Sequence, residues 1–173
     1  MRWDQFETVA PQLARDARSQ IDRFGFVYVG TVRRDGTPRI SVVEAHVAGG
    51  HLMLTMIAAS QKARDVIRDP RVTLQSPVMD AADPGVEVKL RGQLVDVDER
   101  QRAVTTDAIE RASGWRPQPS WRFFSVELAA VALLAWEHGA LTLTRWDAAR
   151  GAREPARLRL DATASAYRPA AQG

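Results

Sequence analysis

The sequence predicts a mainly β (α+β) fold, a closed or nearly closed antiparallel β-barrel with flanking helices at its gaps. Three observations carry this expectation. Most residues from Phe26 to Trp146 fall into β-rich runs. Tight-turn signals such as Asp35-Gly36 and Gly49-Gly50 join them. Helical patterns interrupt the strands only at 60–69 and 98–113, so the strict βαβ alternation of a parallel sheet is missing. Closing an antiparallel sheet on itself removes its exposed edges.

The elements follow in order. Residues 11–24 place Leu13, Ala17, Ile21 and Phe24 on one helical stripe, with Pro11 in the first turn and Gly25 as the breaker. Trp3 and Phe6 are expected to pack beneath this helix. Strands follow at Phe26–Val32, Arg39–Val47 and His51–Ile57, forming a meander. Ser60 is a good N-cap for a short helix to Asp69, whose apolar face is Ala63, Val66 and Ile67, with Pro70 just beyond. Arg71–Val78 and Val86–Val97 read as strands around a loop at 79–85, turned by Asp83-Pro84-Gly85. Asp98 caps a helix to Ser113 with Ala103, Thr106, Ile109 and Ala112 inside, ended by Gly114. After a Pro-containing loop at 115–121, Phe123–Trp136 is a long strand, and His138-Gly139 turns it into Ala140–Trp146. Residues 1–149 form one barrel domain on this reading. Residues 150–173 form an irregular Arg/Ala-rich tail with a short strand at Arg157–Leu160.

A chain of 173 residues suits one domain with a real core. It contains no cysteine, which excludes disulfides, thiolate chemistry and Cys-built zinc sites. No apolar run approaches the roughly 18 residues of a membrane span. The first residues lack the apolar core of a secretion signal, so the expected compartment is the cytoplasm. The net charge is +3. Its excess lies in 145–173, where six Arg face three acids. That reads as a solvated tail rather than the basic stripe of a nucleic-acid binder. His46, His51 and His138 lack metal-ligand spacing, so no metal is expected. No nucleophile elbow is present.

The segment Thr55 to Arg64 leaves a strand, crosses small residues and enters a helix. Free N–H groups and the positive dipole end at a helix start favour an anion. Thr55 and Ser60 offer hydroxyls there, and Lys62, one of only two lysines in the chain, offers a full charge. Each hydrogen bond to a charged group is worth roughly 1.5–3 kcal/mol, so two or three together hold a phosphate monoester. The same residues also describe an ordinary capped helix with a surface lysine.

The stretch from about Phe26 to Val97 resembles the pyridoxamine 5′-phosphate oxidase-like, FMN-binding split-barrel superfamily. The resemblance rests on the hairpin from Gly30 to Arg39, containing Asp35-Gly36-Thr37-Pro38-Arg39. It rests also on the passage from Lys62 through Asp69-Pro70-Arg71-Val72. Relatives show a similar "T…DG.PR" followed by "T…S.K…..DPRV". The resemblance implies that Arg39, Ile40, Ser41 and Val42 lie along an isoalloxazine ring, through main-chain groups and the arginine. It implies that Thr55, Ser60, Gln61 and Lys62 surround the phosphate, at a seam between two identical subunits. Many relatives carry a second base where this chain has Gln61. Glu87 stands where relatives often present a neutral side chain to the ring, so that role is not carried over. Arg39 also reads as a simple cross-strand charge.

The function expected from the resemblance is a small FMN-dependent oxidoreductase acting on a small molecule, as a homodimer. F420, a deazaflavin with a polyanionic tail, is the alternative cofactor, and Gln61 points towards it. A non-catalytic barrel carrying flavin or haem is a further class, and pyridoxamine phosphate oxidation itself is a weaker one. Trp115, Trp121, Trp136 and Trp146 are candidates for a planar-ligand pocket or for packing. Arg145-Trp146 is a candidate to reach a cofactor across the seam.

Overall fold

The computed structural model describes residues 1–78, 85–137, 140–150 and 156–160. Its strands are β1 (Phe26–Val32), β2 (Pro38–Ala48), β3 (His51–Ile57), β4 (Arg71–Gln75), β5 (Val86–Asp96), β6 (Trp121–Glu137), β7 (Ala140–Asp147) and β8 (Ala156–Leu160). They form one antiparallel sheet in the order β3-β2-β1-β4-β5-β6-β7-β8, and β3 also pairs with β6. This last pairing closes β1–β6 into a six-stranded barrel, leaving β7 and β8 as an extension. The length of β6 makes both possible. Residues 121–125 pair with β3, 124–135 with β5 and 130–137 with β7.

The turns are those the sequence calls for. Gly36 (φ 83°) closes the first hairpin, where the Asp35 side chain accepts hydrogen bonds from the Thr37 amide and hydroxyl. The ladder between β5 and β6 slips by one residue at Arg91/Gly92. A Cβ at Gly92 would meet the Glu127 carbonyl at 2.2 Å, so the β-bulge needs a residue without a side chain.

Four helices flank the barrel: α1 (Trp3–Val9), α2 (Pro11–Phe24), α3 (Gln61–Arg68) and α4 (Glu99–Ser113). The α1 helix was not expected from the pattern, although the burial of Trp3 and Phe6 was. Phe6 packs on Trp146 at 5.0 Å between centroids, and the N-terminal ammonium pairs with Glu127 at 2.8 Å. Left-handed Gly25 and Gly114 end α2 and α4. The Asp98 carboxylate caps α4 by accepting from the Gln101 amide.

Several expectations change. Ile67 is exposed, and Asp65 takes the buried place on α3 beside Ala63 and Val66. Ala103 and Ala112 are exposed on α4, where Thr105, Thr106 and Ile109 face inward. Gln101 bonds the Ala48 carbonyl, and its own carbonyl accepts from the Thr105 hydroxyl, so α4 docks through a partly polar face. The strand after Pro70 stops at Gln75 rather than Val78. The expected short strand in the tail is β8, which pairs with β7. The turns expected at Asp83-Pro84 and His138-Gly139, and most of the expected tail, lie outside the described residues.

Candidate functional site

Alternation along β2 decides what each candidate residue can face. Arg39 and Ser41 point to the barrel interior, together with buried Val43 and Ala45. Ile40 and Val42 point outward and are 77% and 53% exposed. The four side chains therefore do not share one surface. A ligand on the outer face meets Ile40 and Val42 directly, while the arginine is committed elsewhere.

Arg39 is held by an acid that the apolar pattern does not flag. Its Nε donates to Asp65 Oδ2 at 2.7 Å, and the Thr31 hydroxyl donates to the same oxygen at 3.2 Å. Arg68 Nη2 lies 3.4 Å from Asp65 Oδ1 and also donates to the Val32 carbonyl. Thr31 and Arg39 are direct partners in the β1–β2 ladder, so Asp65 ties α3 to the inner face of both strands. Burial by itself would raise the Asp65 pKa. The hydrogen bonds from Arg39 and Thr31, with the charge of Arg39, outweigh it and hold the carboxyl below its ordinary value.

Thr55 lies near the end of β3, Ser60 caps α3, and Gln61 and Lys62 open that helix. Thr55 is buried and donates its hydroxyl to Glu44 Oε2 at 3.0 Å, across the β2–β3 ladder. Ser60 caps α3, its Oγ accepting from the Ala63 amide at 3.3 Å. The amides of Gln61 and Lys62 have no partner among the described residues. Lys62 Nζ donates to the Val42 carbonyl at 3.1 Å, which lays its charge against the outer face of β2. Ile57 beside it is 53% exposed.

The outer surface here is thus apolar, edged by one cation and two free amides. Tyr28 (39% exposed) opposes Val42, and Gly30, which has no side chain, opposes Ile40 in the ladder between β1 and β2. Glu44 is the residue that sequence reasoning missed in this group, and it sets a carboxylate beside Thr55.

Arg145 and Trp146 part company. Trp146 turns inward onto Phe6 and is buried, whereas Arg145 is exposed on the opposite face of β7. Trp115 packs on Trp121 at 5.1 Å, and Trp136 is 45% exposed. Among the described residues, no group of three His, Asp or Glu side chains is placed to hold a metal. No helix among them is long and apolar enough to cross a membrane.

Residues 13–137 match the family model described as pyridoxamine 5′-phosphate oxidase. The chain belongs to this family. The barrel is thereby a split barrel of that superfamily, as the hairpin and Lys62–Val72 motifs imply. Solved structures of similar fold include an F420 reductase, at 24% identity over 66% of this chain and 94% of that one, with a TM-score of 0.52. A haem-binding protein from Mycobacterium smegmatis is 16% identical over 80% of this chain and 60% of that one, with a TM-score of 0.60. An FMN-binding, pyridoxamine 5′-phosphate oxidase-related protein from Nostoc punctiforme is 11% identical over 84% and 93%, with a TM-score of 0.56. At these identities the likeness speaks for the fold. No curated protein matches the chain.

Proposed function

We propose that this protein is a small oxidoreductase that holds FMN on the outer face of β2 and β3, at the seam of a homodimer, and acts on a small molecule. The carrying observation is the placement of Lys62 and the free amides of Gln61 and Lys62 at the edge of the exposed Ile40–Val42–Ile57 surface. That arrangement offers an anion seat next to an apolar floor, which suits a phosphorylated planar molecule. When bound, the flavin supplies the hydride or electron transfer. The chain supplies position: Lys62 and the α3 amides take the phosphate, Ser60 adds its hydroxyl proton, and Ile40 and Val42 exclude water from one side of the ring.

F420 is the second reading. Gln61 leaves Lys62 as the only lysine or arginine in the Thr55–Lys62 segment, and Glu44 places a negative charge beside Thr55. Both weaken the seat for a phosphate dianion.

Mass spectrometry of the small molecule released from purified protein separates the two cofactors. Absence of any flavin or deazaflavin, together with failure of either to bind on addition, would refute both. Lys62→Ala is expected to weaken cofactor retention while leaving the unfolding midpoint nearly unchanged, because a partly exposed lysine contributes about 0–1 kcal/mol to folding. Unchanged retention refutes the placement.

A further inference from the structure

The outer face of β2 continues past Val42. Glu44 follows on the same face, roughly 7 Å further along the strand. Direct partners in an antiparallel ladder share a face, so Phe26 stands beside Glu44 as Tyr28 stands beside Val42. Phe24, Phe26 and Tyr28 form an edge-to-face row with ring centroids 6.3 Å and 6.2 Å apart. The Arg23 guanidinium lies over the Phe24 ring at 5.2 Å, so one end of the row already carries a cation. The Phe26 and Tyr28 rings, next to the carboxylate, carry none among the described residues.

The Glu44 charge is not balanced. Glu44 is half-buried and accepts a hydrogen bond from the neutral Thr55 hydroxyl at 3.0 Å. It has no ion-pair partner among the described residues. Lys62 is turned to the Val42 carbonyl instead. Burial lowers the pKa of His46, the next residue on this face, so His46 does not supply a charge at neutral pH. Asp22, the other acid near His46, differs, because Arg18 pairs with it at 3.3 Å. A carboxylate drawn partly out of water without a counter-charge is unfavourable, and a bound cation offsets that.

We propose that Glu44, Phe26 and Tyr28 form the substrate subsite, and that the substrate is an organic ammonium ion with its charge on Glu44 and its apolar body against the two rings. Its role as substrate rests on the flavin or deazaflavin reading above, because the subsite adjoins the Ile40–Val42 floor. Binding of the cation does not.

Benzylamine, charged at neutral pH, is the probe, and benzyl alcohol is its neutral control. Isothermal titration of the purified protein is expected to give saturable benzylamine binding, with benzyl alcohol at least about tenfold weaker. Glu44→Gln keeps an acceptor for Thr55 and is expected to weaken benzylamine about tenfold, the loss of one charge-assisted hydrogen bond. Tyr28→Leu keeps apolar area but removes the ring face, and is expected to weaken it about threefold. Asp22→Asn and Glu99→Gln, at exposed acids elsewhere, are expected to leave it unchanged. Absence of saturable benzylamine binding overturns the proposal, as does equal affinity for benzyl alcohol. So does an Asp22→Asn loss as large as that of Glu44→Gln. Failure of the cofactor reading is distinguishable: benzylamine would bind with the expected Glu44 dependence to a protein that takes up neither FMN nor F420. That result overturns the substrate role and upholds the cation site.

Discussion

Replacing Asp65 with asparagine removes a charge and keeps the volume. The Asp65 side chain is 5% exposed and Arg39 25%, so their 2.7 Å contact is shielded from water on one side only. Removing one member of a fully buried pair costs about 3–5 kcal/mol. Partial solvation of Arg39 lowers that figure, and the asparagine carbonyl still accepts one neutral bond of about half the strength. Its amide, however, turns a donor towards a cluster of donors from Arg39, Thr31 and Arg68. The expected loss is about 2–3 kcal/mol at neutral pH. In a domain of this size that is a fall of roughly 4–12 °C in the unfolding midpoint. Urea unfolding followed by tryptophan fluorescence measures it directly.

The pH dependence supplies an independent sign. The folded pKa of Asp65 lies below its unfolded value. Its stabilisation is therefore complete above the unfolded pKa of about 3.9 and is lost as pH falls through the lower folded value. The gap between wild type and Asp65→Asn should close over that range. Asp69, held at about 2 mainly by its side-chain hydrogen bond from Arg71, titrates in both proteins and cancels in the comparison. A variant within about 0.5 kcal/mol of wild type at pH 7, or a gap that does not narrow in acid, would refute the clamp.

Two further outcomes test other parts of the fold. Gly92→Ala forces a methyl group against the Glu127 carbonyl at the β5–β6 bulge, and is expected to cost about 1–3 kcal/mol in denaturant unfolding. A neutral effect would mean that the bulge does not need its glycine. Burial lowers the His46 pKa below 6.5, against the opposing charges of Glu44 and Asp22. Wild type should therefore lose stability as pH drops from 6.5 through the folded value, and His46→Gln should lack that component in midpoint-against-pH scans.

Local signals were legible in the sequence, and non-local ones were not. Gly25, Gly114, Ser60 and Asp98 end or start their helices where the pattern puts them, because capping is decided within a few residues. The barrel order was legible through its hairpin turns and the absence of βαβ alternation. The helical state of Trp3–Val9 was not. Seven residues nucleate poorly alone, and α1 is fixed by Trp146 and Glu127, far along the chain. Ile67 was placed inside because it is apolar. Asp65 has the inner position because Thr31 and Arg39, 34 and 26 residues away, bring it partners. The Thr55–Glu44 bond depends on strand register, and the β5–β6 ladder carries a one-residue slip at Arg91/Gly92 that no periodicity announces.

The β2–β3 face carries the Lys62 charge, the adjacent Glu44 carboxylate and a row of exposed apolar residues, so it asks for cover. Ile40, Val42 and Ile57 each stand to gain up to roughly 1.5–3 kcal/mol on full burial. A single phosphate on Lys62 covers none of them. A planar ring lying on β2 would cover part of that area, and a second subunit closing over the ring would cover the rest. On that reasoning cofactor and partner chain reinforce each other at this face, and dimerisation measured by sedimentation should strengthen when the cofactor is added. A monomer that retains cofactor fully would mean that the apolar row serves some other contact.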